Sequence, residues 1–136
     1  MIYANPMPLF RLLLVLIVLS FTACTNPRST AISRLRHADV TELRNEVARL
    51  YTRLFSATGY SLIPVRPELW PPAILKLRPL RLNLYRDGLA VSLQSSPGFE
   101  YGLHILPAGD AGAPKSSPRT QYESLGNGIF YFTQKR

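Results

Sequence analysis

From residue 39 onward the apolar positions recur first at helical and then at strand spacing. Val40, Leu43, Val47, Leu50, Tyr51 and Leu54 fall at steps of three and four, one stripe of a 3.6-residue repeat. Asp39 stands where an N-cap belongs, and Glu42 three residues later completes a capping-box pattern. Gly59 suits the far end, so a helix over about 40–58 is expected. Glu42, Glu46, Arg49 and Arg53 run beside the stripe, acids toward the N-terminus and bases toward the C-terminus. That order suits the helix dipole and a Glu–Arg pair on a solvated face.

Beyond the helix the period changes. Residues 60–79 hold five prolines, which excludes a long helix and predicts an irregular, extended segment. Trp70, the sole tryptophan, is expected to cover one edge of the core. Residues 80–94 give the clearest strand signal, with Asp87-Gly88 as a two-residue hairpin turn. Built out from that turn, the register pairs Tyr85 with Ala90, Leu84 with Val91, Asn83 with Ser92, Leu82 with Leu93 and Arg81 with Gln94. Apolar pairs then share one face and mostly polar pairs the other.

Phe99, Tyr101, Leu103 and Ile105 alternate with Glu100, Gly102 and His104, a third strand. Residues 107–118, rich in Pro, Gly, Ala and Ser, read as a mobile loop. The last hairpin turns around Gly126-Asn127-Gly128. A three-residue turn opposes Tyr122 to Phe132 and Leu125 to Ile129, and the glycines permit a two-residue turn as well. The expected fold is α+β, one amphipathic helix packed on an antiparallel sheet of about five strands, a meander with two hairpins. It forms a single domain over 38–136 with its β-region at 80–134, and its sheet shows one polar face to water.

The N-terminus follows a different pattern. Arg11 precedes an apolar run over 12–21, interrupted only by Ser20, and Thr22 and Ala23 follow it. The run suits a signal-peptide core and falls short of the ~20 residues that span a bilayer. Met7 is an alternative start. Cys24, the only cysteine in the chain, ends this segment and has no disulfide partner. Residues 24–37 are small and polar in their first part and read as a tether.

The string Phe21-Thr22-Ala23-Cys24 resembles the lipobox of bacterial lipoproteins, with Phe21 in place of the usual leucine. The resemblance covers the first 24 residues. It implies a diacylglyceryl group on the Cys24 thiol, cleavage between Ala23 and Cys24, and often a further acyl chain such as palmitate on the new amino terminus. In the best-known Gram-negative members an aspartate after the cysteine favours the inner membrane, so Thr25 points to the outer one. One acyl chain of myristoyl length holds a protein only marginally, at about 0.8 kcal/mol per buried CH₂. A multiply acylated cysteine removes that weakness.

Charge narrows the partners. The chain carries sixteen basic and eight acidic residues, and only Arg11 of these precedes Cys24. A basic domain beside a bilayer attracts anionic headgroups or cell-wall polymers, and Arg28, Arg34 and Arg36 lie close to the lipid site. No nucleic-acid-binding motif accompanies the charge. With two histidines, His37 and His104, no metal-ligand spacing is evident, and no cofactor is indicated. Ser95, His104 and Asp110 make a triad only on paper, without a nucleophile elbow. The glycine-rich stretch 108–113 lacks the lysine of a phosphate loop.

The expectation is therefore a non-enzymatic envelope lipoprotein facing the periplasm, a binding or assembly accessory held by membrane lipid. Its partner would be an envelope protein met by the polar sheet face and the 107–118 loop. The alternative is a carbohydrate- or peptidoglycan-binding module. Arg81, Tyr85, Arg86 and Tyr131 are the candidate contact residues, with both tyrosines placed on the polar face. A small hydrolase is a third, less favoured class.

Overall fold

The computed structural model describes residues 26–55, 61–109 and 112–136. The expected signal segment 1–23, Cys24, Gly59 and Asp110 lie outside the described residues.

Residues read as a tether contain helix α1 (Pro27–Arg36). Asn26 caps it, its side chain accepting from the Arg28 amide at 3.0 Å, and Pro27 fills the first helical position, where no amide donor is needed. Ala31 is its only fully buried residue. Arginines tie it down instead. Arg28 forks onto Glu123 at 2.8 and 2.5 Å, and Arg34 donates to the carbonyls of Leu77 and Arg78, both at 3.1 Å.

Helix α2 (Val40–Leu54) is the amphipathic one. The Asp39 carboxylate accepts from the Glu42 amide at 3.1 Å, and Leu43, Val47 and Leu50 are buried. Arg49 pairs with Glu42 at 2.7 Å on the solvent side. Glu46 departs from the solvated row expected for it and is buried. Its carboxylate accepts from the Ala73 and Ile74 amides at 3.1–3.3 Å, which compensates the burial of its charge.

Residues 60–79 are not simply irregular. They hold β1 (Leu62–Val65), a 3₁₀ turn (Pro67–Leu69) and the short helix α3 (Pro72–Leu75). The prolines sit where a missing amide donor costs little. Pro64 lies in an edge strand, and Pro67 and Pro72 open helical turns. Trp70 packs partly buried against the core and donates its indole N–H to the Val65 carbonyl at 2.9 Å.

The sheet is antiparallel, with β2 (Arg81–Tyr85), β3 (Gly88–Ser96), β4 (Phe99–Ile105), β5 (Thr120–Gly126) and β6 (Ile129–Lys135). Its order is β1-β2-β3-β4-β6-β5. The fold is thus α+β as expected, with six strands rather than five. It is a meander only as far as β4. The next connection passes β6, so that β5 becomes an edge and β6 returns to pair with β4.

The first hairpin differs in register from the expectation. Tyr85 pairs with Gly88, Leu84 with Leu89 and Leu82 with Val91, so Arg86-Asp87 forms the turn. Gly88, at φ 150°, then opens β3 in a conformation that L residues rarely adopt. In the last hairpin Tyr122 opposes Phe132 as expected, but Gly126 pairs with Ile129 and an irregularity at Leu125 absorbs the difference. Asn127 and Gly128 form the turn, both at positive φ, the pattern of a type I′ turn.

Leu82, Leu84, Val91, Leu103, Ile105 and Ile129 build the sheet side of the core against Leu43, Val47, Leu50, Ile74 and Leu77. Each such leucine contributes about 1.5–3 kcal/mol on burial.

Candidate functional site

The sheet face turned away from α2 is the surface on which contact residues were expected. It carries Arg81, Asn83 and Tyr85 from β2, and Ala90 and Ser92 from β3. Beside them lie Glu100, Gly102 and His104 of β4, Phe130 and Phe132 of β6, and Tyr122 of β5. It is not a plain wet face. Ser92, Glu100, His104 and Phe132 are buried on it, covered in part by side chains of the same face.

Two clusters do the covering. In the first, the Glu100 carboxylate accepts from Arg81 through both Nε, at 3.1 Å, and Nη2, and from the Ser92 hydroxyl. Arg136 Nη2 lies 3.5 Å from the same carboxylate. A fork of this kind, with the remaining acceptor positions bonded, is the arrangement that permits a buried carboxylate.

His104 is the centre of the second cluster, and 1 % of it is exposed. Its Nε2 lies 3.1 Å from the Asp87 carbonyl and 3.6 Å from the Asp87 carboxylate. The Tyr122 ring meets it edge-on at 5.3 Å, and Nδ1 is buried without a hydrogen-bond partner among the described residues. Burial pushes the imidazole below its ordinary value of 6.5, opposed by the Asp87 carbonyl and carboxylate. The Tyr122 hydroxyl is pushed up to about 12, mainly by burial and further by the charge of Asp87 and by Tyr85.

Burial thus favours the neutral imidazole in the folded chain, and stability depends on pH through His104. The unfolded chain takes up a proton near 6.5, while the folded imidazole resists until a lower pH. The contribution is complete above 6.5 and is lost as pH falls toward the folded value. Unfolding free energy should drop by up to about 1.4 kcal/mol per pH unit in that window. Urea titrations at stepped pH, on wild type and His104→Gln, measure it. An equal acid slope in both proteins would assign the loss to other groups.

The sequence-selected residues separate. Arg81 and Tyr85 share the outer face, and Arg86 is exposed in the adjoining turn. Tyr85 is half-buried, its hydroxyl pKa raised by burial, and its carbonyl accepts from the Tyr51 hydroxyl. Tyr131 lies on the opposite face, between Leu103 and Glu123 in the register, and belongs to the helix-side core. The run Ile129-Phe130-Tyr131-Phe132 has no polar alternation, so pairing with β4 decides which residues turn inward. Ser95 accepts from Arg136 at 2.6 Å and pairs with Glu100, four residues along β4 from His104. At about 3.3 Å per residue the two sites are roughly 13 Å apart, too far for nucleophile and base.

Three other features concern the surface. In the expected mobile loop 107–118, the described residues 112–118 are tied down more than their composition suggests. Pro114 is buried, and the Ser116 and Ser117 hydroxyls accept from the edge amides of Tyr122 and Thr120, both at 3.1 Å. A groove of about 320 Å³ runs beside Trp70, with Arg49, Arg53 and Glu68 on its walls. A second, of about 420 Å³, lies along α1 between Arg34 and Arg78. Among the described residues no group of three His, Cys, Asp or Glu side chains is placed to hold a metal ion, and no helix is long and apolar enough to cross a membrane.

Compared with protein-family models, with curated proteins and with solved structures, the chain has no significant match.

Proposed function

We propose that this chain is a bacterial envelope lipoprotein, anchored by acyl chains on Cys24 and facing the periplasm from the outer membrane. It serves there as a non-enzymatic binding or assembly accessory. The observation that carries this reading is the sequence Phe21-Thr22-Ala23-Cys24 at the end of an apolar run. The fold adds a supporting detail, because the first cap, Asn26, stands only two positions after the cysteine. An acylated Cys24 would thus hold the domain close to the bilayer rather than on a leash.

The carbohydrate alternative relied on Arg81, Tyr85, Arg86 and Tyr131. Arg81 is engaged by Glu100 and Tyr131 is in the core, which leaves the Trp70 groove, an aromatic flanked by Arg53 and Glu68, as its best surface.

Blocking the lipoprotein signal peptidase in cells is expected to leave a heavier precursor, and Cys24→Ala to abolish incorporation of labelled fatty acid. An unchanged mass together with an unlabelled wild-type chain refutes the anchor. The accessory role is tested by photo-cross-linking from the exposed Lys115, which should yield a defined envelope-protein adduct. Recovery of peptidoglycan fragments instead would favour the alternative.

A further inference from the structure

The groove along α1 joins features that the core does not require. Asn26, Ser29, Thr30 and Ser33 line one wall from α1, and Arg34 and Arg78 close it. Asn26, Ser29 and Ser33 are three and four residues apart, so they share one face of the helix. Arg34 spends one nitrogen, Nη1, on the carbonyls of Leu77 and Arg78. Arg78 is exposed and holds φ at 53°, a left-handed conformation uncommon for a residue other than glycine or asparagine.

The electrostatics are unbalanced. Among the described residues neither arginine has an ion pair, whereas Arg28, on the same helix, is matched by Glu123. The Arg34 guanidinium is held below its ordinary range, first by burial and then by the charge of Arg78. Two cations placed side by side repel each other, and an anion between them relieves that repulsion. Guanidinium forks match the paired oxygens of a phosphate group, and serine hydroxyls donate to the remaining oxygens.

We propose that this groove binds the phosphate of an anionic membrane lipid, held between Arg34 and Arg78 with hydroxyls of Ser29 and Ser33 completing the cradle. The choice of a lipid over a free phosphate rests on the proposed anchor, which would bring α1 beside a headgroup layer. Headgroup binding here would orient the domain on the bilayer, with α1 toward the lipid. Arg28, bound to Glu123, takes no part.

The test uses the full chain in dodecyl maltoside micelles, reading the side-chain Nε–H resonances of Arg34 and Arg78 by NMR. Phosphatidylglycerol doped into the micelles should shift both resonances in a saturable way. Phosphatidylcholine or inorganic phosphate should need at least tenfold more for the same shift. Arg34→Gln also breaks two carbonyl bonds and endangers folding, so the decisive variant is the exposed Arg78→Gln. It should weaken phosphatidylglycerol binding at least tenfold, read at Arg34, while the thermal midpoint stays in place. No shift with phosphatidylglycerol, or wild-type binding by Arg78→Gln, overturns the site. An equal response to inorganic phosphate overturns the lipid assignment. The mass of the Cys24-containing peptide reports the anchor separately, so either reading can fail without the other.

Discussion

Gly102→Ala is expected to cost about 3 kcal/mol or more and to remove most of the folded population well below the wild-type midpoint. The reason is space. A Cβ at residue 102 would stand 2.0 Å from the Val91 carbonyl oxygen, 2.9 Å from its carbon and 3.0 Å from the Phe132 ring. Two of these atoms are backbone and cannot swing aside as a side-chain end would. Gly102 is central in the sheet, opposite Ser92 on β3 and Phe132 on β6, and β3 slips register just past Ser92. Relief therefore requires parting β3 from β4 or reshaping that irregularity. Overpacking typically costs about 1–3 kcal/mol when side chains can adjust, so a backbone clash belongs at or above the top of that range. A domain of this size has only about 5–15 kcal/mol to lose. Trp70, the sole tryptophan and packed against the core, reports unfolding in urea. Gly98→Ala is the control, with positive φ but no atom within 4 Å of its new Cβ, and should cost about 1–2 kcal/mol. Equal effects at the two positions would contradict the close approach.

The hairpin around residue 87 shows what a sequence pattern determines and what it leaves open. The expected partners were each displaced by two residues, yet Leu82, Leu84, Leu89 and Val91 share the core face in either register. A shift of two preserves the pleat, whereas a shift of one would have reversed it. Alternation therefore revealed the faces but not the partners. The turn sets the partners, and here Gly88 supplies its unusual φ from the first position of β3. Helix α1 was hidden for another reason. With only Ala31 fully buried it offers no stripe, but Asn26 followed by Pro27 is a cap and first-turn signal that was present in the sequence. β1 was masked by Pro64, which an edge strand tolerates.

The outer face was harder to read because its contacts cross several strands. Arg81 pairs in the ladder with Ser92, and Ser92 with Gly102, while Glu100 lies two residues along β4. Bringing arginine, serine and carboxylate together requires the register of three strands and the slip between Ser92 and Gln94. No spacing in the sequence encodes that meeting. The His104 cluster has the same character, since Asp87 comes from one hairpin and Tyr122 from another. The groove of Arg34 and Arg78 joins elements more than forty positions apart. The sequence placed Arg34 ten positions after Cys24, the proposed lipidation site, and the fold supplied its neighbour.

Arg81→Ala should show how strongly the outer face depends on the Glu100 cluster, with an expected loss of about 2–3 kcal/mol. The side chain of Glu100 is 3 % exposed, while that of Arg81 is 52 % exposed. Removing Arg81 leaves the carboxylate with the Ser92 hydroxyl and Arg136 at 3.5 Å. Stranding a buried charge costs about 3–5 kcal/mol, and the solvent already reaching Arg81 reduces that figure. The reverse deletion differs. Glu100→Leu leaves Arg81 able to turn its guanidinium into water, and a side chain of similar size fills the gap, but the buried Ser92 hydroxyl loses its acceptor, so its loss should be about 1–2 kcal/mol. The double variant should then resemble Glu100→Leu alone, because Arg81 has no buried charge left to compensate. The cycle, measured in urea at Trp70, should give a coupling of about 2–3 kcal/mol. If Arg81→Ala cost the same with and without the carboxylate, its role would be packing of the arginine stem over the sheet, and the charge pair would contribute nothing to the fold.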